Sequence, residues 1–120
     1  MATEFKKVSL ADIPTSLTDL YSVPSNCDTV VIGLLICNKH SSDITVDVMI
    51  DVETGITVGS SANEDVYLVK GVTVPSGGAL DLINGNKVVL ANTSTNAGDK
   101  LRILSSNTNA DVLLCVLENT

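Results

Sequence analysis

The stretch Ile44-Thr45-Val46-Asp47-Val48-Met49-Ile50-Asp51-Val52 decides the fold. Ile44, Val46, Val48, Ile50 and Val52 occupy alternate positions, with Thr45, Asp47, Met49 and Asp51 between them. A period of two belongs to a pleated strand, whose successive side chains point to opposite faces. A helix would need apolar residues recurring near every 3.6 positions, and this stretch does not supply them.

The same grammar extends in both directions. Apolar runs at residues 5–10, 17–23, 28–37, 66–74, 79–83, 87–91, 100–105 and 112–117 alternate with turn clusters. The clusters include Pro24-Ser25-Asn26, Asn38-Lys39-His40-Ser41-Ser42, a Gly/Ser-rich loop at 53–64 and Pro75-Ser76-Gly77-Gly78. These residues favour turns because they fix φ, tolerate positive φ or bond their own backbone. Asn84-Gly85 lies between two of the runs, and Asn-Gly suits the left-handed conformations of a tight hairpin. The pattern predicts an all-β domain: an antiparallel β-sandwich or jelly-roll-like barrel of about eight to nine short strands. No shift in composition divides residues 1–120, so they read as one domain, with 1–12 able to serve as an extended N-terminal arm.

Composition points the same way. Of 120 residues, 44% are hydrophobic but only 2% aromatic, so the apolar content is almost all aliphatic. The mean hydropathy is +0.33, on the apolar side for a small domain. Branched aliphatics pack well on a pleated sheet and lose rotamer freedom in a helix. The net charge of −7 disfavours a nucleic-acid partner, because an acidic surface repels phosphates. No run approaches the ~18 apolar residues of a membrane-spanning helix. The first residues, Met-Ala-Thr-Glu-Phe-Lys-Lys, lack a signal peptide's apolar core, so folding in a reducing cytoplasm is expected. Cys27, Cys37 and Cys115 are odd in number and have no paired spacing, which fits free structural thiols.

Two strands break the rule of one apolar face. Residues 28–37 offer Val30, Ile32, Leu34 and Ile36 on one side and Val31, Leu35 and Cys37 on the other, and 112–117 is apolar on both sides. Each sheet of a sandwich has a single inward face. The outward face must therefore be covered by the chain's own arm or by another molecule. Val31, Leu35, Leu113 and Leu117 are the candidate interface residues on these strands. Lys6-Lys7, the only adjacent basic pair, could carry an arm to an acidic neighbour, and Ile56 and Val58 place branched aliphatics inside a polar loop.

A search for chemistry returns little. His40, the only histidine, sits in a polar turn beside Lys39, with no serine or cysteine motif aimed at it. There is no Gly-x-Ser-x-Gly elbow, no Cys-x-x-Cys and no zinc-type histidine pair. Gly77-Gly78 lacks the helix and lysine of a phosphate loop. Asp43, Asp47 and Asp51 share a strand face, but at four-residue spacing they stand about 13 Å apart, too far for a shared calcium ion. They read as a solvated acidic stripe, available to meet basic groups of a neighbour. No enzyme, cofactor or metal is expected. A carbohydrate- or host-surface-binding module is the alternative, but sugar sites stack on aromatic rings, and only Phe5, Tyr21 and Tyr67 are available.

Several segments together resemble small β-sandwich virion structural proteins of tailed bacteriophages. They are Leu20-Tyr21-Ser22-Val23-Pro24, residues 29–38 leading into Ile44-Thr45-Val46, and 68–82 (LVKGVTVPSGGALDL), with its Pro-x-Gly-Gly hairpin. Gly98-Asp99-Lys100-Leu101 and the closing apolar strand complete the set. The resemblance spans residues 17–118. It implies a non-enzymatic head decoration protein or a neck, collar or tail accessory. The implied partners are copies of itself and the major capsid or neck and tail proteins. His40, the aspartate stripe and the 53–64 loop have no counterpart in that family.

Overall fold

The computed structural model describes residues 3–53, 64–83, 87–92 and 98–120. They form nine strands: β1 (Thr3–Leu10), β2 (Thr18–Ser22), β3 (Cys27–Asn38), β4 (Ile44–Val52), β5 (Glu64–Val74), β6 (Ala79–Asp81), β7 (Val88–Asn92), β8 (Lys100–Ser105) and β9 (Ala110–Asn119). No described residue is helical. One sheet has the order β1-β9-β3, with β6 and β7 both alongside β3; the other runs β2-β8-β4-β5. Every strand pair is antiparallel.

The pairing is nested. β1 pairs with β9, β2 with β8, β3 with β6 and β7, and β4 with β5. The chain is thus one long hairpin, tipped at β4–β5, whose successive pairs lie alternately in the two sheets. The roll is closed by β9 against β3 and by β8 against β4. This is the jelly-roll arrangement within the predicted class.

Between the sheets lies an aliphatic core that includes Ile13, Val31, Leu34, Ile36, Val46, Val48, Leu101, Ile103, Leu114 and Val116, each at most 1% exposed. Burying one such side chain fully contributes about 1.5–3 kcal/mol.

Three local details depart from the sequence reading. The two runs that flank Asn84-Gly85 do not pair with each other: β6 and β7 lie end to end along β3, at Leu35–Cys37 and Cys27–Val31. One long strand is satisfied by two short ones, and residues 84–86 lie outside the described residues. Pro75-Ser76-Gly77-Gly78 likewise passes from one sheet to the other rather than closing a hairpin. Its Gly78 N–H donates to the Pro75 carbonyl at 2.9 Å, and Gly77 takes φ 72°, the conformation a type II turn requires of its third residue.

The third departure is a β-bulge. Val31 pairs with Val116 and Gly33 with Cys115, so Ile32 is an extra residue in β3. The alternation is reset there. Val31, Leu34 and Ile36 point into the core, while Ile32, Leu35 and Cys37 are exposed and Val30 is half-buried. Val31, predicted at the interface, is 1% exposed and belongs to the core.

β5 is also bulged against β4, between Val46 and Val48 and again at Met49. Gly71, at φ 63°, supplies the left-handed residue, and its N–H donates to Asp47 Oδ1 at 2.6 Å.

Candidate interaction surface

The two outer faces of the sandwich differ in chemistry. On the β2-β8-β4-β5 sheet, the outward positions include Asp47, Asp51, Lys100 and Arg102, and Arg102 Nε pairs with Asp19 Oδ1 at 2.8 Å. Met49, expected on the solvent side, is buried at 2%, flanked in register by the long side chains of Arg102 and Tyr67. Two of the three aspartates of the acidic stripe are engaged within the chain. Asp43 Oδ1 accepts the Ser76 N–H at 3.2 Å, and Asp47 accepts Gly71 and lies 4.0 Å from Lys70 Nζ.

The outer face of the β1-β9-β3 sheet is apolar. One row across it runs Phe5, Leu117, Val30, Val89; a second runs Lys7, Cys115, Gly33; a third runs Ser9, Leu113, Leu35, Asp81. Phe5 is 77% exposed, Val89 66%, Leu35 43%, and Leu113 and Ile32 40% each. Two shallow hollows open on the face. One, of ≈ 280 Å³, is bordered by Leu10, Leu35, Cys37 and Leu113, and the other, of ≈ 360 Å³, by Phe5, Ile32 and Cys115. The face therefore combines raised apolar side chains with dips that partner side chains can enter.

Of the candidate interface residues, Leu35 and Leu113 stand opposite each other on this face, and half-buried Leu117 lies two rows away. Ile56 and Val58 lie outside the described residues. Phe5, Ile32, Val89 and Cys115 were missed. Phe5 carries a signal, since Lys7 and Ser9 alternate with Val8 and Leu10 and so place it on the polar side of its strand, but Val89 lies inside an unbroken aliphatic run that hides its facing.

Residues 3–10 of the possible arm lie as β1, paired along their whole length with β9. Lys7 is exposed on the outer face. Lys6 points the other way, and its Nζ lies 2.7 Å from Glu118 Oε1. Glu118 is 4% exposed, and its Oε2 accepts the Tyr21 hydroxyl at 2.5 Å. That hydroxyl also meets Thr29 Oγ1 at 2.9 Å. The carboxylate and the phenol together thus join β1, β2, β3 and β9. Burial pushes Glu118 up, but the bonds from Lys6 and Tyr21 outweigh it and hold its carboxyl below the ordinary value. Burial, then the bond to Glu118, moves the Tyr21 phenol well above its own.

At the other end of the sheet Lys39 bridges Asp111 at 2.9 Å and Asp12 at 3.0 Å. Asp111 is held below its usual range by Lys39 and then by the Asp12 N–H, while Lys39 is raised by Asp111 and then Asp12. These groups secure the margin of the face.

His40 serves its turn. Its N–H donates to Asn38 Oδ1 at 2.7 Å, its carbonyl accepts Ser76 Oγ at 2.7 Å, and its Nδ1 lies 3.4 Å from Asn109 Nδ2. Among the described residues no group of three or more His, Cys, Asp or Glu is placed to hold a metal ion. The aromatics do not gather: Tyr21 is in the core, Phe5 is on one sheet, and Tyr67 is on the other beneath Lys70 Nζ, 4.6 Å from its ring centroid. A sugar-stacking platform is not assembled from them.

No protein-family model and no curated protein matches the chain. Similarity appears among solved structures. A chain of the infectious bursal disease virus particle aligns over 97% of this chain with a TM-score of 0.55 and 12% identity. The VP2 subviral particle of the same virus aligns over 97% with a TM-score of 0.50 and 13% identity. This chain shares its fold with chains of virus particles. It spans only 30–32% of their length. A Bacillus endospore appendage protein of disulfide-linked pili aligns over 99% of this chain and 87% of its own, with a TM-score of 0.49 and 13% identity.

Proposed function

We propose that the protein is a non-enzymatic structural subunit of a phage particle, specifically a head decoration protein that associates with copies of itself and with the capsid lattice. The observation that carries this reading is the apolar outer face of the β1-β9-β3 sheet, set against a charged face on the opposite sheet. A sandwich with one greasy and one charged side has a built-in orientation: the first side docks and the second meets water. The jelly-roll likeness to virus-particle chains supports the setting, and the phage resemblance of residues 17–118 supports the narrower class. Its major partner would be the capsid protein, and its site of action the virion assembled in the host cytoplasm.

The mechanism is passive. Each Å² of apolar surface removed from water contributes roughly 25 cal/mol to the assembled state, before the cost of immobilising the subunit. No bond is made or broken.

The test is to add purified, labelled protein to particles lacking it and to image them. Regular occupancy of the head, with a raised temperature of capsid disruption, is expected. Occupancy confined to the neck or tail would reassign the protein to an accessory of those parts. No particle association at micromolar concentration would overturn the virion reading.

A further inference from the structure

Resting on that reading, we infer that the apolar outer face docks a second copy of the same chain, the two sheets packing face to face about a two-fold axis between β9 and β3, parallel to both. The argument begins with the order of strands. β9 and β3 are the two central strands, with β1 on one side and β6 and β7, end to end, on the other. A two-fold between the central strands lays β9 over the partner's β3 and β1 over the partner's β6 and β7, so the whole width of the sheet is covered. Rows keep their height along the strands under this operation. The residues that meet are therefore the two ends, or the two middles, of each row.

Those meetings are complementary. Phe5, the most exposed large apolar side chain described on the face, falls over Val89 of the second copy, and Leu117 falls over Val30. Leu113 meets Leu35. Cys115 comes over Gly33, whose missing side chain leaves a dip: a Cβ built there would come no closer than 3.8 Å, to Cys115. Any other position of an axis parallel to the strands leaves an outer strand uncovered.

Charge agrees with size. Lys7 stands on β1 at one margin of the face, while Asp81 on β6 and Asp28 on β3 lie toward the other. The two-fold exchanges the margins and brings Lys7 within one row of Asp81 of the second copy, about 7 Å along the strand and within a lysine's reach. Lys6 and Lys39 are already held by Glu118 and by Asp111 and Asp12, whereas Lys7 makes no ion pair with a described residue. The pairing is isologous, each copy presenting the same patch. A footprint four strands wide and about 24 Å long lies at the low end of specific interfaces, so the dimer should be concentration-dependent.

The experiment is sedimentation of the full chain from about 1 to 500 μM, with Leu113→Asp, Lys7→Asp, Asp81→Lys and the double swap Lys7→Asp/Asp81→Lys. Circular dichroism establishes that each variant is folded. The wild type is expected to dimerise, Leu113→Asp to weaken the dimer at least about 100-fold, each single swap to weaken it about 3–10-fold, and the double swap to restore it. If the double swap gives no recovery, the two-fold geometry is wrong. A wild type that stays monomeric yet binds particles through Leu113 would assign the face to a different virion protein, overturning the self-pairing and leaving the function standing. A monomer that binds no particles would overturn both.

Discussion

The Tyr21 hydroxyl of one sheet lies 2.5 Å from a buried carboxylate oxygen of Glu118 in the other. It ties the layers together by direction, where the aliphatic core ties them only by contact. Hydrogen bonds to a buried charged group contribute about 1.5–3 kcal/mol. Glu118→Gln is therefore expected to destabilise the fold by about 2 kcal/mol and Tyr21→Phe by about 1–2, both measured by urea denaturation with an unchanged slope. An equal loss from Glu118→Gln and from an exposed control such as Asp28→Asn would show that the carboxylate has no special role.

The same group makes stability depend on pH. The folded-state pKa of Glu118 lies below its ordinary 4.5. Its contribution is complete above that ordinary value and is lost as the pH falls through the lowered one. Lys6 is raised above 10.5, so its share is complete below 10.5 and lost only as the pH rises through the raised value. Acid melting of the wild type should be steeper than that of Glu118→Gln below about pH 4.5. Parallel curves would remove Glu118 from the account.

Neighbours in β9 should respond very differently to the same change. Leu114 is fully buried and Leu113 is 40% exposed. Leu114→Ala is expected to cost about 3 kcal/mol, because it leaves a cavity between the sheets. Leu113→Ala should cost under about 1 kcal/mol in the monomer. Chemical denaturation of the two variants at low protein concentration compares them directly.

Gly98 provides a sharper steric test. A Cβ at this position would come within 2.6 Å of the Asn92 side chain, whose Nδ2 donates to the Val23 carbonyl at 3.1 Å. The adjacent Asp99 carboxylate accepts the Ala91 N–H at 3.0 Å and the Glu53 N–H at 2.9 Å. Gly98→Ala should lower the thermal midpoint by several degrees, corresponding to about 1–3 kcal/mol. Gly98→Ala with Asn92→Ala should recover little of the loss, since alanine at 92 keeps the Cβ that lies 2.6 Å from the added methyl and gives up the Val23 bond.

How much was legible depends on whether polar residues marked the faces. β4 and β8 were read with their observed ends, 44–52 and 100–105, because charged or polar residues interrupt the aliphatic ones. β3 was found, but not its facing. Val30, Val31, Ile32, Leu34, Leu35 and Ile36 are all aliphatic, so nothing in the sequence betrays the extra residue that resets the alternation. The apolar outer face followed from counting two apolar sides where a sandwich can bury one. Glu118 was invisible for a different reason. A single glutamate after an aliphatic run reads as solvated, and its partners Lys6 and Tyr21 lie far off in sequence, brought together only by the nested pairing.

That nesting also sets an order of events in time. Met49 and Tyr67 are close along the chain, but Thr3 pairs with Asn119, so each outer pair closes a longer loop than the one inside it. Refolding should begin at β4–β5 and proceed outward, on the millisecond-to-second scale of topologies dominated by distant contacts. β1 then docks last and exchanges its amide hydrogens first. The strand that carries Phe5 and Lys7 is the final piece of each subunit to become rigid, so assembly through this face would act as a check that the whole roll has closed.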